Sequence, residues 1–114
     1  TNTLYGITFG NNQFFSVGNS GKLIISGDNG SNFSNVTSPV TKNIYSIAYG
    51  NNIFVGVGYR TVVVSNNNGS TVTEKENTLS FNDVTFGNGI FAAVGDDEVI
   101  YTSSDGDTWT KVYP

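Results

Sequence analysis

Three stretches of this chain spell nearly the same ten-residue phrase: Phe9-Gly-Asn-Asn-Gln-Phe-Phe-Ser-Val-Gly18, Tyr49-Gly-Asn-Asn-Ile-Phe-Val-Gly-Val-Gly58 and Phe86-Gly-Asn-Gly-Ile-Phe-Ala-Ala-Val-Gly95. The copies begin 40 and then 37 residues apart. Each sets an aromatic residue before a Gly-Asn turn and a Phe-x-x-Val-Gly run after it. Gly and Asn tolerate positive φ, so such a pair between two apolar runs is a strong hairpin signal. Self-similarity at a period near forty marks a chain assembled from repeated supersecondary units.

Working outward, each repeat reads as four short strands. The first strand is 5–9, 45–49 and 81–86, and the second is 14–17, 54–57 and 91–94. The third, rich in Val and Ile, is 22–26, 61–65 and 98–102, and the fourth is 33–37, 71–75 and 108–113. No helix-length amphipathic segment interrupts them, so the chain is all-β. Segments such as Phe14-Phe15-Ser16-Val17 and Ile90-Phe91-Ala92-Ala93-Val94 are apolar on both faces, the pattern of a sheet covered from both sides. The outer strands, Ser34–Thr37 and Thr73–Lys75, are polar. Four-stranded units of this kind predict β-propeller blades in a single repeat domain, with blade 1 at 4–43, blade 2 at 44–80 and blade 3 at 81–114. A β-trefoil, also three repeats of about forty residues, is the alternative. Single-chain propellers have about four to eight blades. Three blades would leave two apolar blade faces uncovered, which favours a homodimer of roughly 24 kDa closing six blades, or membership in a longer propeller.

Composition narrows the chemistry. The chain has no cysteine and no histidine, which removes disulfides, thiolate metal sites and the commonest general base. Net charge is −4 with only five scattered basic residues, so nucleic acid is not an expected partner. No apolar run has the length of a membrane span, and no signal peptide is visible. The chain opens at Thr1 and contains no methionine, so a processed product, an excised piece or a chain whose natural start has been removed is the expectation. Sixteen Asn and fourteen Gly suit a protein made of tight turns. Asn29, Asn32, Asn35 and Asn68 head N-x-Ser/Thr sequons, which matter only in a secreted eukaryotic setting.

A second recurrent element joins strands three and four: Ser26-Gly-Asp28-Asn-Gly30-Ser-Asn-Phe33, Ser65-Asn-Asn67-Asn-Gly69-Ser-Thr-Val72 and Ser103-Ser-Asp105-Gly106-Asp-Thr-Trp109. It resembles the Asp-box (Ser-x-Asp-x-Gly-x-Thr-Trp) of the BNR repeat family, found in sialidase-type propellers. The second copy departs from it at Asn67 and Val72, and the third is one residue shorter before its glycine. The resemblance implies a propeller in which Ser26, Asp28, Gly30, Asn67, Gly69, Asp105, Gly106 and Trp109 are structural. The carboxylate or amide takes backbone N–H bonds inside the turn, and the final aromatic packs on the sheet.

A sialidase site needs several arginines around a carboxylate, and Arg60 is the sole arginine. No carboxylate pair sits in a visibly apolar stretch, so the chain is expected not to be an enzyme. Asp96-Asp97-Glu98 and Asp105-Gly106-Asp107 are the acidic clusters. Both read as turns rather than calcium sites, so no metal or cofactor is expected. One end of the repeats is uniform, carrying the Gly-Asn turns and the Asp-box-like turns. The other differs blade by blade, with Asn19-Ser20-Gly21, Tyr59-Arg60 and Asp96-Asp97. Variable loops on a rigid scaffold carry binding residues, and Tyr and Arg are hot-spot types. The candidate ligand-binding residues are therefore Tyr59, Arg60, Asp96 and Asp97. The expected function is a non-enzymatic binding or assembly module whose ligand is a carbohydrate, or else a protein partner. An excised part of a larger propeller glycosidase, or a scaffold fragment without a ligand, is the alternative.

Overall fold

A computed structural model describes residues 2–113. Its strands form three separate four-stranded antiparallel sheets, each built from consecutive strands in sequence order. The first contains β1 (Leu4–Gly10), β2 (Gln13–Gly18), β3 (Leu23–Ser26) and β4 (Ser34–Asn35). The second contains β5 (Ile44–Gly50), β6 (Ile53–Gly58), β7 (Thr61–Ser65) and β8 (Thr73–Glu76). The third contains β9 (Asp83–Gly87), β10 (Ile90–Val94), β11 (Ile100–Ser103) and β12 (Thr110–Val112). A 3-10 turn at Asn19–Gly21 is the one helical element among the described residues. These are propeller blades. Three distinct stacked sheets set the trefoil aside.

The inner strands match the sequence reading closely, whereas the outer ones are shorter or shifted. Residues 33–37 yield only the two-residue β4, and 71–75 gives Thr73–Glu76. The cause is local. Asn32, Thr71 and Thr108 spend their backbone N–H groups on the side chains of Asp28, Asn67 and Asp105, so the chain leaves the turn late.

Register explains why the inner strands lack alternation. In blade 2, Ile47 pairs with Gly56 and Tyr49 with Phe54, and Phe54 lies opposite Ser65. These residues face blade 1. Their neighbours Ala48, Val55, Val57, Val62 and Val64 face blade 3. One apolar layer thus combines Phe15, Val17 and Leu23 with Ile47, Phe54 and Val63. A second combines Val55, Val57 and Val62 with Phe81, Val84, Phe91 and Ala93. The middle blade is buried on both faces. The end blades each bury one, leaving Ile7 at 60% and Phe9 at 53% exposure on blade 1, and Val94 at 44% on blade 3.

The blades also interlock at one repeated point. The aromatic residue that ends the first strand stacks across its own hairpin at about 5 Å: Phe9 on Phe14, Tyr49 on Phe54 and Phe86 on Phe91. The ring of each later blade also packs directly against the strand-ending glycine of the blade before it. A Cβ on Gly10 would overlap the Tyr49 ring, and one on Gly50 would overlap the Phe86 ring. These glycines are needed for close approach rather than for an unusual φ. Gly50→Ala should therefore destabilise the fold by about 1–3 kcal/mol through overpacking. A urea titration of the variant against the parent chain measures this; an unchanged midpoint would show that the interlock is loose.

Candidate functional site

At the variable end, three tight turns connect the second and third strands of each blade. Ser20, Arg60 and Asp97 occupy equivalent positions there, with φ of 56°, 51° and 61°. Left-handed backbone is unusual for side chains of these types and persists only where surroundings fix it. For Ser20 and Arg60 the fixing group is a side chain on the segment that leads into the next blade. The Ser20 N–H donates to Asn43 Oδ1 at 3.0 Å, and the Arg60 N–H donates to Ser80 Oγ at 2.9 Å. The Tyr59 N–H donates to the Asn43 carbonyl at 2.9 Å, and the Phe81 N–H to the Gly58 carbonyl at 3.1 Å. Lys42 Nζ adds a bond to the Arg60 carbonyl at 2.7 Å and an ion pair to Glu74 Oε2 at 2.9 Å. The same Glu74 oxygen accepts the Thr61 hydroxyl at 2.7 Å. Burial pushes the Glu74 carboxyl up, but the Lys42 and Thr61 hydrogen bonds and the Lys42 charge outweigh it and hold the group below its ordinary range.

The Tyr59-Arg60 turn is thus a fixed platform. Tyr59 is 54% exposed. Among the described residues, the Arg60 guanidinium has no hydrogen-bond or ion-pair partner. Asp96 and Asp97 sit on the equivalent turn of blade 3, where Asp96 Oδ1 accepts Asn82 Nδ2 at 3.0 Å. The fold brings both pairs to the same end on neighbouring blades, with no bond between them among the described residues. The Lys42–Glu74–Thr61 cluster and the turn-holding Asn43 and Ser80 are additions that sequence reading did not single out. Aligning the repeats position by position reveals one signal: Thr3, Asn43 and Ser80 fall in register, and each carries a short side-chain oxygen.

The uniform end behaves differently. In blade 1, Ser26 Oγ donates to Asp28 Oδ1 at 2.7 Å and accepts the Gly30 N–H at 3.0 Å. Asp28 Oδ1 also accepts the Asn32 N–H at 2.9 Å. Blade 2 repeats this with an amide: Asn67 Oδ1 accepts Ser65 Oγ and the Thr71 N–H. In blade 3, Asp105 Oδ1 accepts Ser103 Oγ and the N–H groups of Asp107 and Thr108. Trp109 Nε1 donates to the Gly106 carbonyl at 2.9 Å, and its ring centre lies 5.4 Å from that of Phe81. These are turn-forming and packing roles. No group of three or more acidic side chains converges among the described residues. Between the blades, this end and the outer edge carry two open polar grooves. One, of about 340 Å³, is lined by Gln13, Asn35, Asn68 and Ser70; the other, of about 280 Å³, is lined by Asn51, Lys75, Asp105 and Asp107. Gln13 Oε1 is buried in the first without a partner among the described residues.

No protein-family model matches the chain, and comparison with curated proteins finds no match. Solved structures do resemble it. YCF48 from Cyanidioschyzon merolae, a β-propeller, superposes with a TM-score of 0.75 at 18% identity, over 96% of this chain and 37% of that one. YCF48 bound to D1 peptide gives 0.81 at 18% identity, over 97% and 41%. A chain of a nidogen/laminin complex gives 0.76 at 13% identity, over 96% and 48%. At these identities the likeness is one of fold. The chain spans about two fifths of the YCF48 chains it matches.

The turn carboxylates make an acid-stability prediction. Asp28 is lowered from 3.8 to about 2 by the Asn32 N–H, then by the Ser26 hydroxyl and the Asn32 side chain. Asp105 is lowered too, first by the Thr108 N–H and then by the Asp107 N–H. A depressed folded pKa contributes stability above the unfolded value and loses it as pH falls through the folded one. Unfolding free energy should therefore drop between about pH 4 and pH 2. The Asp28→Asn/Asp105→Asn double variant, which copies the amide already used at Asn67, should flatten that limb. Denaturant melts at several pH values test this; an equally steep limb in the variant would place the acid sensitivity elsewhere.

Proposed function

We propose that this chain is a non-enzymatic recognition and assembly module of the BNR/Asp-box type, acting as a homodimer and presenting its variable end to a carbohydrate. The single observation that carries the reading is the Tyr59-Arg60 turn. An exposed aromatic ring and a guanidinium without a partner stand on a backbone pinned by both flanking segments and by Lys42. Such a platform loses little conformational freedom on binding. Its ring offers a flat apolar face to a sugar, and Arg60, Asp96 and Asp97 offer donors and acceptors to hydroxyls. Two copies of the turn in a dimer add weak single-site contacts through effective concentration. The sole arginine and the absence of histidine support a binding role over a catalytic one.

A protein partner is the second reading, favoured by the company the fold keeps. One similar structure is YCF48 bound to D1 peptide, and another belongs to a nidogen/laminin complex. Both readings use the same turn and part on the ligand. A glycan array and a peptide array, each probed with the parent chain and with the Tyr59→Ala/Arg60→Ala variant, separate them. The expected result is glycan binding that falls at least tenfold in the variant, in line with loss of two hot-spot side chains. Peptide binding with the same loss would select the second reading. Binding that is indifferent to the variant would move the site to the inter-blade grooves.

A further inference from the structure

We infer that the two uncovered blade faces are the two halves of one joint, and that a second copy of this chain occupies them head to tail. This deepens the homodimer part of the proposal above and rests on it. Three devices fasten blade 1 to blade 2 and recur between blades 2 and 3, and each leaves one half unused at either end of the arc.

The first device is the ring on glycine. Tyr49 lies on Gly10 and Phe86 lies on Gly50. The next seat in the series is Gly87, where an added Cβ would meet nothing within 4 Å. The matching unseated ring is Phe9, 53% exposed at the opposite end of the arc. The second device is the turn amide on a short side-chain oxygen. Ser20 bonds Asn43 and Arg60 bonds Ser80. Asp97 is the third left-handed turn residue and Thr3 the third lead-in oxygen. Among the described residues neither the Asp97 N–H nor the Thr3 hydroxyl has a partner. The third device joins the Asn of the first hairpin to the next blade's Ser-x-Asp/Asn turn. Asn11 Nδ2 donates to Asn68 Oδ1 at 2.5 Å, and Asn51 Nδ2 donates to the Ser104 carbonyl at 3.0 Å. Asn88 and Asn29 are the pair whose side chains have no partner among the described residues.

The faces agree in shape as well. Ile7, Phe14 and Ile24 project from blade 1 at positions whose equivalents Ile47, Phe54 and Val63 are buried in blade 2, and Phe9 at that of the half-buried Tyr49. Thr85, Ala92 and Val94 on blade 3 are small and line a shallow apolar hollow of about 140 Å³. A large-on-small fit is how layers interdigitate at native density. Because the joint is heterologous, it builds either an open fibre or a closed ring. Two copies of a three-blade arc close six blades, within the range of single propellers, whereas three copies would make nine.

Gly87→Ala isolates this joint, because it touches nothing within the chain and needs no left-handed φ. Native mass spectrometry of the 114-residue chain should show two copies of 12.2 kDa, with Gly87→Ala shifted to one copy at unchanged far-UV circular dichroism. The chain has no cysteine, so Thr3→Cys/Asp97→Cys provides a second reading under oxidation. It should trap a dimer with no free thiol, both ends being bridged. A dimer that survives Gly87→Ala and leaves the introduced thiols free would overturn the joint while sparing the homodimer. A parent chain that stays at one copy would overturn both and leave the faces to further blades or another partner. The arrays read the identity of the ligand and the residues that bind it, separately from the joint.

Discussion

A β-sheet that is apolar on both faces has no stable existence by itself, and that constraint shapes every level of this molecule. Val55, Val57 and Val62 are fully buried only because blade 3 lies against them, and Phe54 and Val63 only because blade 1 does. Burial of apolar surface contributes about 25 cal/mol per Å², so the stacking faces rather than the hairpins hold most of the favourable energy. The strand hydrogen bonds fix which residue points which way. The choice of Gly10 and Gly50 then sets how closely adjacent sheets approach.

The two ends of the blades divide the remaining work. At the uniform end, polar side chains satisfy backbone donors inside their own turns, and either a carboxylate or an amide suffices, as Asp28, Asn67 and Asp105 show. At the variable end the Ser20 and Arg60 turn backbones are held from outside, by the segment entering the next blade. The Tyr59 and Arg60 side chains are thereby released from structural duty, whereas Asp96 and Asn19 still accept bonds from Asn82 and the Thr3 N–H. This is why the sequence there differs between blades without disturbing the fold, and why Tyr59 and Arg60 stand free on an ordered turn.

The sequence makes the inner strands legible because repeat, turn residue and apolar run coincide at Phe9–Gly18, Tyr49–Gly58 and Phe86–Gly95. The outer strands are less legible, since Ser34–Asn35 and Thr110–Val112 are exposed and their starts are set by hydrogen bonds inside the preceding turn. Gly10 and Gly50 read in sequence as hairpin residues; their second role against Tyr49 and Phe86 exists only in three dimensions. The ion pair of Lys42 with Glu74 spans 32 residues and has no local pattern to announce it. The Tyr59-Arg60 and Asp96-Asp97 turns read in sequence as a difference between repeats, and the fold adds the Ser80 and Lys42 bonds that hold the Arg60 backbone.

Each sheet consists of four consecutive strands, and no strand is donated from one blade to another. Every main-chain ladder is therefore closed within about forty residues, and what crosses the boundaries is side chains and isolated backbone groups such as the Phe81 N–H on the Gly58 carbonyl. The evolutionary consequence is modularity. Duplication or deletion of a DNA segment encoding one whole blade changes the length of the arc without breaking a ladder or inventing a new kind of boundary. A gene of this design can lengthen in units of one period, and drift at the Ser20, Arg60 and Asp97 turns can diversify each new unit while the stack beneath it stays the same.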